Sequence, residues 1–216
     1  MTTYFVHSSD EYENLVLAYA TGQLKGALAV ALATHLQLNE SARQKARAYE
    51  ALGGALLENH CGQTELSEDC LEKMLGKIDK ISVSQKKTEK PLSDAYEDFF
   101  KSLSLPQMLE NYIIHTLKVS ASQLKWMERE DGGYICTLRK QSKVNQGVRL
   151  LRFYPGKQQS FKIISEKKRL AVVLDGGIVK SGTIYRRGDI AVLYPDEIVR
   201  PYTENRLGTL CLIVDN

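Results

Sequence analysis

The sequence has little that would crosslink, anchor or export the chain. Its four cysteines are far apart and form no CxxC pair, which indicates reduced, mostly structural thiols rather than a disulfide framework. The longest apolar run, residues 27–33, is far shorter than the roughly 20 residues that span a bilayer. The N-terminal residues lack a basic segment followed by an apolar one, so no secretory signal is predicted. We therefore expect a cytoplasmic protein that does not associate with membranes.

Common catalytic signatures are absent as well. The sequence contains no glycine-rich phosphate loop, no HExxH pair and no nucleophile elbow, and no acid–base pair suggests a reaction. Charge is divided unevenly, because residues 1–100 hold 10 Lys and Arg against 15 Asp and Glu, whereas the remainder holds 19 against 11. This division indicates either two modules with different partners or simply two solvated surfaces. An acidic module suits the basic face of a protein better than it suits DNA.

Residues 10–80 have the three- and four-residue spacing of amphipathic helices. The predicted apolar stripes of the first two helices are Tyr12, Leu15, Val16 and Tyr19, then Leu24, Leu28, Leu32 and His35. Asn39 or Ser41 can cap a third helix. That helix is expected to bury Ala42, Ala46, Tyr49 and Leu56, and its pair Gly53 and Gly54 leaves room for a close approach by another helix. A fourth helix is predicted from Ser67, with the stripe Leu71, Met74, Leu75 and Ile78.

The second half of the chain has the period of β-strands. Residues 82–91, SVSQKKTEKP, have the composition of a linker, and a short helical stretch follows around 93–103. Alternating or continuous apolar segments then occur at 134–139, 148–154, 169–175, 189–194 and 209–214. The sequence therefore predicts an α+β chain with a helical domain at 1–81, a linker and short helix at 82–105, and an antiparallel sandwich or barrel at 106–216.

Two helical segments and a series of strand segments are distinctive in this sequence. They are LVLAYATGQLKGALAVALATHLQL (15–38) and ALGGALLE (51–58), followed by LLRFYPG, AVVLDGG, YRRGD and CLIV. In both halves, and in this order, they resemble ChrR-type anti-sigma factors. The resemblance implies an N-terminal all-α helical anti-sigma domain followed by a C-terminal cupin (jelly-roll) β-barrel. In that family the helical domain clamps an extracytoplasmic-function sigma factor and blocks its access to core polymerase and promoter.

The zinc site of that family's helical domain is degenerate here. The family pattern has an early His followed by H-L-x-L-C-x-x-C. His35 fills the helix position, whereas Asn39 and Ala42 stand at the cysteine positions and Asp10 stands at the early His. A His and an Asp without thiolates make a weak zinc site. We therefore expect no zinc and interpret His35 as a hydrogen-bonded core residue, although His7 with His60 or Cys61 could in principle complete a rebuilt site.

The metal site of the cupin is lost in the same way. The spacing G-x5-H-x-H-x4-E-x6-G is kept between Gly156 and Gly176, but its ligand positions are Lys162, Ile164 and Arg169. The later His position falls on Val199, or on Arg200 by simpler spacing. Cations and aliphatic side chains do not bind a divalent metal ion. We therefore expect a barrel without metal or other cofactor.

The resemblance implies a negative regulator of transcription that binds an extracytoplasmic-function sigma factor and does not bind DNA itself. Candidate partner contacts are Tyr12, Leu17, Leu71 and Leu75. One alternative is that Lys162 and Arg169 face the barrel interior and hold a small organic anion, which would make the barrel a sensor. The other possibility is that they point outward or lie at the barrel mouth while the interior is filled, since a one-residue slip exchanges the two faces of a strand. A metal-dependent cupin enzyme is the other alternative, and the missing ligands argue against it.

Overall fold

Helices precede the sheets along the chain. The computed structural model of the protein describes residues 9–60, 69, 71, 72, 74, 75, 105–139, 147–154, 160–162, 168–202 and 208–215. Its helices are α1 (Ser9–Ala20), α2 (Gly26–Leu38), α3 (Glu40–His60) and α4 (Gln107–Leu117), followed by a 3-10 turn at Ala121–Gln123. Leu71, Glu72, Met74 and Leu75 are also helical. Among the described residues, no helix combines the length and the apolar character that crossing a bilayer requires.

The strands form two antiparallel sheets. Their bounds are β1 (Met127–Glu128), β2 (Tyr134–Arg139), β3 (Val148–Phe153), β4 (Phe161–Lys162), β5 (Arg169–Asp175), β6 (Gly177–Lys180), β7 (Thr183–Arg186), β8 (Ile190–Leu193), β9 (Ile198–Tyr202) and β10 (Thr209–Asp215). The larger sheet has the strand order β1-β2-β3-β10-β5-β8, and the smaller has the order β4-β9-β6-β7. Apolar residues of both sheets form one buried cluster, so the sheets pack face to face.

The larger sheet is buried on both of its faces. On β5, Ala171 and Val173 point between the sheets, whereas Leu170, Val172 and Leu174 belong to a second cluster shared with the helices. Successive side chains of a strand point to opposite faces, so burial on both faces requires a continuous apolar run. This explains why β5 and β10 have almost uninterrupted apolar sequences.

Helix α2 joins the helical part to this sheet. It is packed against α1, α3 and α4 and against strands β5 and β10, and its sequence is accordingly apolar around most of its circumference. Alanines at positions 27 and 31 are fully buried and let the neighbouring elements approach closely. An ion pair between Lys168 and Glu11, with a 3.7 Å separation between Nζ and Oε1, adds a contact from α1 to the start of β5.

Most long elements lie where the sequence predicts them. The strands predicted at 134–139 and 169–175 are β2 and β5, and the segments at 148–154, 189–194 and 209–214 contain β3, β8 and β10. The predicted barrel segment, 106–216, begins with residues that are not part of the barrel. Residues 107–117 form α4 and pack against α2. The predicted linker at 82–91, the helical stretch at 93–103 and the fourth-helix start at Ser67 lie outside the described residues.

One expectation for α3 is wrong. Leu56 is exposed rather than buried, although Ala42 and Ala46 are buried as predicted. A Cβ atom placed on Gly53 or Gly54 meets no described atom within 4 Å, so none of the described elements approaches these glycines closely. Only the first half of α3 therefore packs against the rest of the described chain.

Candidate functional site

His35 lies at the centre of the contact between the helical part and the barrel. Its side chain is 1% exposed. Nδ1 lies 2.6 Å from the carbonyl oxygen of Gly188, in the turn before β8, and Nε2 lies 2.9 Å from the Tyr12 hydroxyl oxygen. A carbonyl oxygen can only accept, so Nδ1 carries the proton and donates to Gly188, and the Tyr12 hydroxyl donates to Nε2. Burial lowers the pKa of His35 to about 4, which keeps the ring neutral near pH 7.

The residues around His35 do not fit a zinc ion. Both ring nitrogens are engaged in hydrogen bonds within the protein, and Asp10 lies exposed on the first turn of α1. At the two former cysteine positions, the Asn39 side-chain oxygen accepts a hydrogen bond from the Ala42 backbone N–H at 3.1 Å. Asn39 therefore caps α3, which resolves the choice between Asn39 and Ser41. Among the described residues, no three His, Cys, Asp or Glu side chains come together, and a zinc-free helical domain stays a prediction.

The described residues at the cupin ligand positions do not form a ligand set either. Val199 is fully buried in β9, opposite Phe161 of β4, and offers no ligand atom. Lys162 pairs with Ile198 in the same ladder, but its side chain and the whole of Ile164 lie outside what the structure describes. Arg169 forms an ion pair with Asp215, with Nε 2.7 Å from Oδ1. These residues do not fit a divalent metal ion.

Arg169 does not point outward. It is part of a charged cluster at one end of the barrel, where Asp215 Oδ1 accepts hydrogen bonds from both Arg169 Nε at 2.7 Å and Arg149 Nη1 at 3.0 Å. Asp215 is 1% exposed, so two arginines compensate a buried carboxylate. An outward-facing Arg169 is therefore wrong, whereas a position at the mouth of the barrel agrees with these contacts.

Sequence reasoning missed Arg149 and Asp215, and it also missed a buried lysine. Lys180 is buried at the end of β6, where Nζ lies 3.3 Å from Glu197 Oε2 and donates to the Val192 carbonyl oxygen. Neither the pair Arg149 and Asp215 nor Lys180 is part of a motif with fixed spacing. A charged residue inside an otherwise apolar strand, as in VRLLRF and GIVK, was the available indication, because such a charge must find a partner when it is buried.

The largest exposed apolar surface of α3 lies in its second half. Leu52, Leu56 and Leu57 are 59%, 53% and 63% exposed, respectively. Of the predicted partner contacts, Leu17, Leu71 and Leu75 are also exposed, together with Met74. Tyr12 is different, because it is 6% exposed and bonded to His35, and its choice as an exposed contact was wrong. Neighbouring exposed leucines on a helix indicate a surface that a partner covers; we call Leu52, Leu56 and Leu57 the α3 leucine surface.

A helical domain packed against one sheet of a two-sheet barrel defines the class of protein, an α+β chain with an N-terminal helical domain and a C-terminal cupin. No family model matches the chain. The anti-sigma-E factor ChrR of Cereibacter sphaeroides is 27% identical over 209 residues, which cover 95% of this chain and 87% of ChrR. A chain in the crystal structure of Rhodobacter sphaeroides SigE in complex with the anti-sigma ChrR matches with a TM-score of 0.63 and 25% identity, over 99% of this chain and 100% of that one. The resemblance to ChrR-type anti-sigma factors and the predicted fold class are thereby confirmed.

Proposed function

We propose that this protein is an anti-sigma factor that binds an extracytoplasmic-function sigma factor through its helical domain and thereby represses transcription. The observation that carries the proposal is the α3 leucine surface, in a chain that is similar from end to end to ChrR, whose structure is that of a complex with SigE. A helix that exposes Leu52, Leu56 and Leu57 to water gains free energy when a partner buries them. Each fully buried leucine contributes about 1.5–3 kcal/mol.

The charges near this surface support a protein partner rather than DNA. Residues 1–100 carry more acidic than basic side chains, and Glu50 and Glu58 flank the α3 leucine surface. Such a surface repels the phosphate backbone, whereas the basic face of a DNA-binding protein complements it. Binding of the partner's basic face would also keep that face away from promoter DNA.

We propose further that the protein is not an enzyme, binds no metal and works in the cytoplasm. The side chains at the cupin ligand positions support the first two points, because Val199 has no ligand atom and Arg169 is already paired with Asp215. The cupin then has a structural or sensory role. Metal analysis of the purified native protein tests the point, and stoichiometric iron, zinc or manganese would contradict it.

The partner is tested by co-purification with sigma factors of the source organism, starting with one encoded beside this gene. We expect a stable complex and lower activity of a sigma-dependent reporter when the protein is present. Leu56→Asp should weaken the complex by about 2 kcal/mol, or about thirtyfold, because it places a charge in the apolar contact.

Ile198→Asp is the matched control, since Ile198 is a comparably exposed apolar residue on β9 of the barrel. It should leave sigma-factor binding unchanged. Equal binding by the Leu56→Asp variant would show that the α3 leucine surface is not the interface. Failure to recover any sigma factor, with a reporter unaffected by deletion of the gene, would refute the proposed function itself.

A further inference from the structure

Three arginines line a recess at one end of the barrel, beside the first residue of β5 and the last of β10. Arg129, Arg149 and Arg169 surround it, and its apolar wall includes Leu151, Phe161 and Ile213. The cavity volume of this arginine recess is about 30 Å³, and the recess is partly open to solvent. We propose that the arginine recess binds a small monocarboxylate that carries an apolar group. The proposal does not rest on the sigma-factor interaction.

The charges of the lining residues leave one positive charge uncompensated. Arg129 is paired with Asp131, with Nη2 2.6 Å from Oδ2 and Nε 3.0 Å from both carboxylate oxygens. Arg149 and Arg169 share the single carboxylate of Asp215. Three guanidinium groups therefore face two carboxylates among the described residues. Bringing one monovalent anion into the recess would balance the charge, whereas a metal cation would be repelled.

The two arginines that share Asp215 keep donors for a ligand. A guanidinium group has five N–H donors in a fixed plane. Within the described residues, Arg149 uses Nη1 and Arg169 uses Nε for the bond to Asp215 Oδ1. That bond fixes both groups while most of their remaining N–H groups are unused. A carboxylate accepts two parallel hydrogen bonds from such a planar group, which makes it a better geometric match than chloride.

The apolar wall distinguishes an organic anion from an inorganic one. Phe161 is fixed by stacking on Phe153, with ring centroids 4.8 Å apart, and Leu151 and Ile213 belong to the same cluster between the sheets. A hydrated sulfate or phosphate ion would lose water against these side chains without compensation. An aliphatic or aromatic group attached to the carboxylate would instead bury apolar surface there. The recess therefore fits the chemistry of a short aliphatic or aromatic monocarboxylate.

The first test measures thermal unfolding of the full chain at constant ionic strength with sodium benzoate or sodium butyrate. We expect a saturable rise of Tm with both carboxylates. Benzamide, which has the ring but no charge, should leave Tm unchanged. Sodium sulfate, which has the charge but no apolar group, should give no saturable rise, because its general stabilising effect increases steadily with concentration. An absent carboxylate effect, or equal effects of benzamide or sulfate, would overturn the proposal.

The second test uses variants of the recess and compares binding by calorimetry. Arg149→Gln should weaken benzoate binding by about tenfold or more, because a charge-assisted hydrogen bond is lost. Arg200→Gln is the matched control, since Arg200 is an exposed arginine of β9 outside the recess. Equal benzoate affinity of the Arg149→Gln variant and the wild type would refute the assignment.

A spectroscopic measurement on the wild type covers the case in which Arg149→Gln does not fold. In methyl NMR spectra recorded during a benzoate titration, the signals of Leu151 and Ile213 should shift along one saturable curve. The signals of Leu52 and Leu56, which do not line the recess, should stay in place. Shifts confined to other methyl groups would place the ligand elsewhere and contradict the proposal, whatever the outcome of the sigma-factor experiments.

Discussion

Acidification should destabilise this protein through His35, over a defined range of pH. The side chain is 1% exposed and its pKa is lowered from 6.5 to about 4 by burial. In the unfolded chain the ring takes up a proton once the pH falls below about 6.5, whereas the folded chain does so only near pH 4. The unfolded state binds more protons between these values, so the free energy of unfolding decreases as the pH decreases. A pKa difference of this size corresponds to roughly 3 kcal/mol.

The measurement is urea unfolding of the wild type and of His35→Gln at several pH values between 7.5 and 4.5. Titration of other groups occurs in both proteins and cancels in the difference between their free energies of unfolding. We expect the wild type to be more stable at pH 7.5, and its advantage to shrink by about 2 kcal/mol or more at pH 4.5.

Tyr12→Phe is the control for this experiment. It removes the hydroxyl that donates to His35 Nε2 but leaves the titratable ring in place. This variant should lose about 1–3 kcal/mol at pH 7.5 because a buried acceptor is left without its donor, and it should keep the pH dependence of the wild type. A difference between wild type and His35→Gln that stays constant with pH would refute the reasoning, since it would mean that His35 has similar pKa values in the folded and unfolded states.

Two further predictions concern single contacts. Asn39→Ala should lower the free energy of unfolding by about 1 kcal/mol because it removes the cap of α3. Ser41→Ala is the control and should have little effect. Equal losses of the two variants in chemical denaturation would contradict the assignment of the cap. Asp215→Asn should lower the free energy of unfolding by about 1–3 kcal/mol because two half-buried guanidinium groups lose their shared anion. A loss smaller than that of Asn39→Ala would show that the Asp215 cluster is not held as described.

Local sequence signals located the long strands and the first three helices, because each has a continuous periodic pattern. The short strands were not predicted, since β1 and β4 have two residues each and their pairing depends on the neighbouring strand rather than on their own sequence. Leu56 shows a different limit. Its spacing on α3 is that of a core residue, and a helix uses the same spacing whether its apolar face meets its own chain or a partner.

Only one member of the charged cluster of the barrel, Arg169, could be predicted from the sequence. Arg169 was found through its position in the cupin spacing, but its partner Asp215 is 46 residues away and Arg149 is 66 residues from that same aspartate. Pairing of charges over such separations depends on which strands are neighbours in the sheet. The order β3-β10-β5 brings these three residues together, and no local pattern specifies that order.

The larger sheet is a single layer of strands that separates the core between the sheets from the core shared with the helices. On β5, Arg169 lines the arginine recess and the next residue, Leu170, packs in the core shared with the helices. On β10, Ile213 and Val214 are divided in the same way. Consecutive residues of a strand share one backbone, so a rotation of β5 or β10 that moves the side chain on one face also moves the next side chain, on the opposite face. A ligand that displaces β5 or β10 from the side of the recess would therefore also displace the residues of that strand that pack beneath α2.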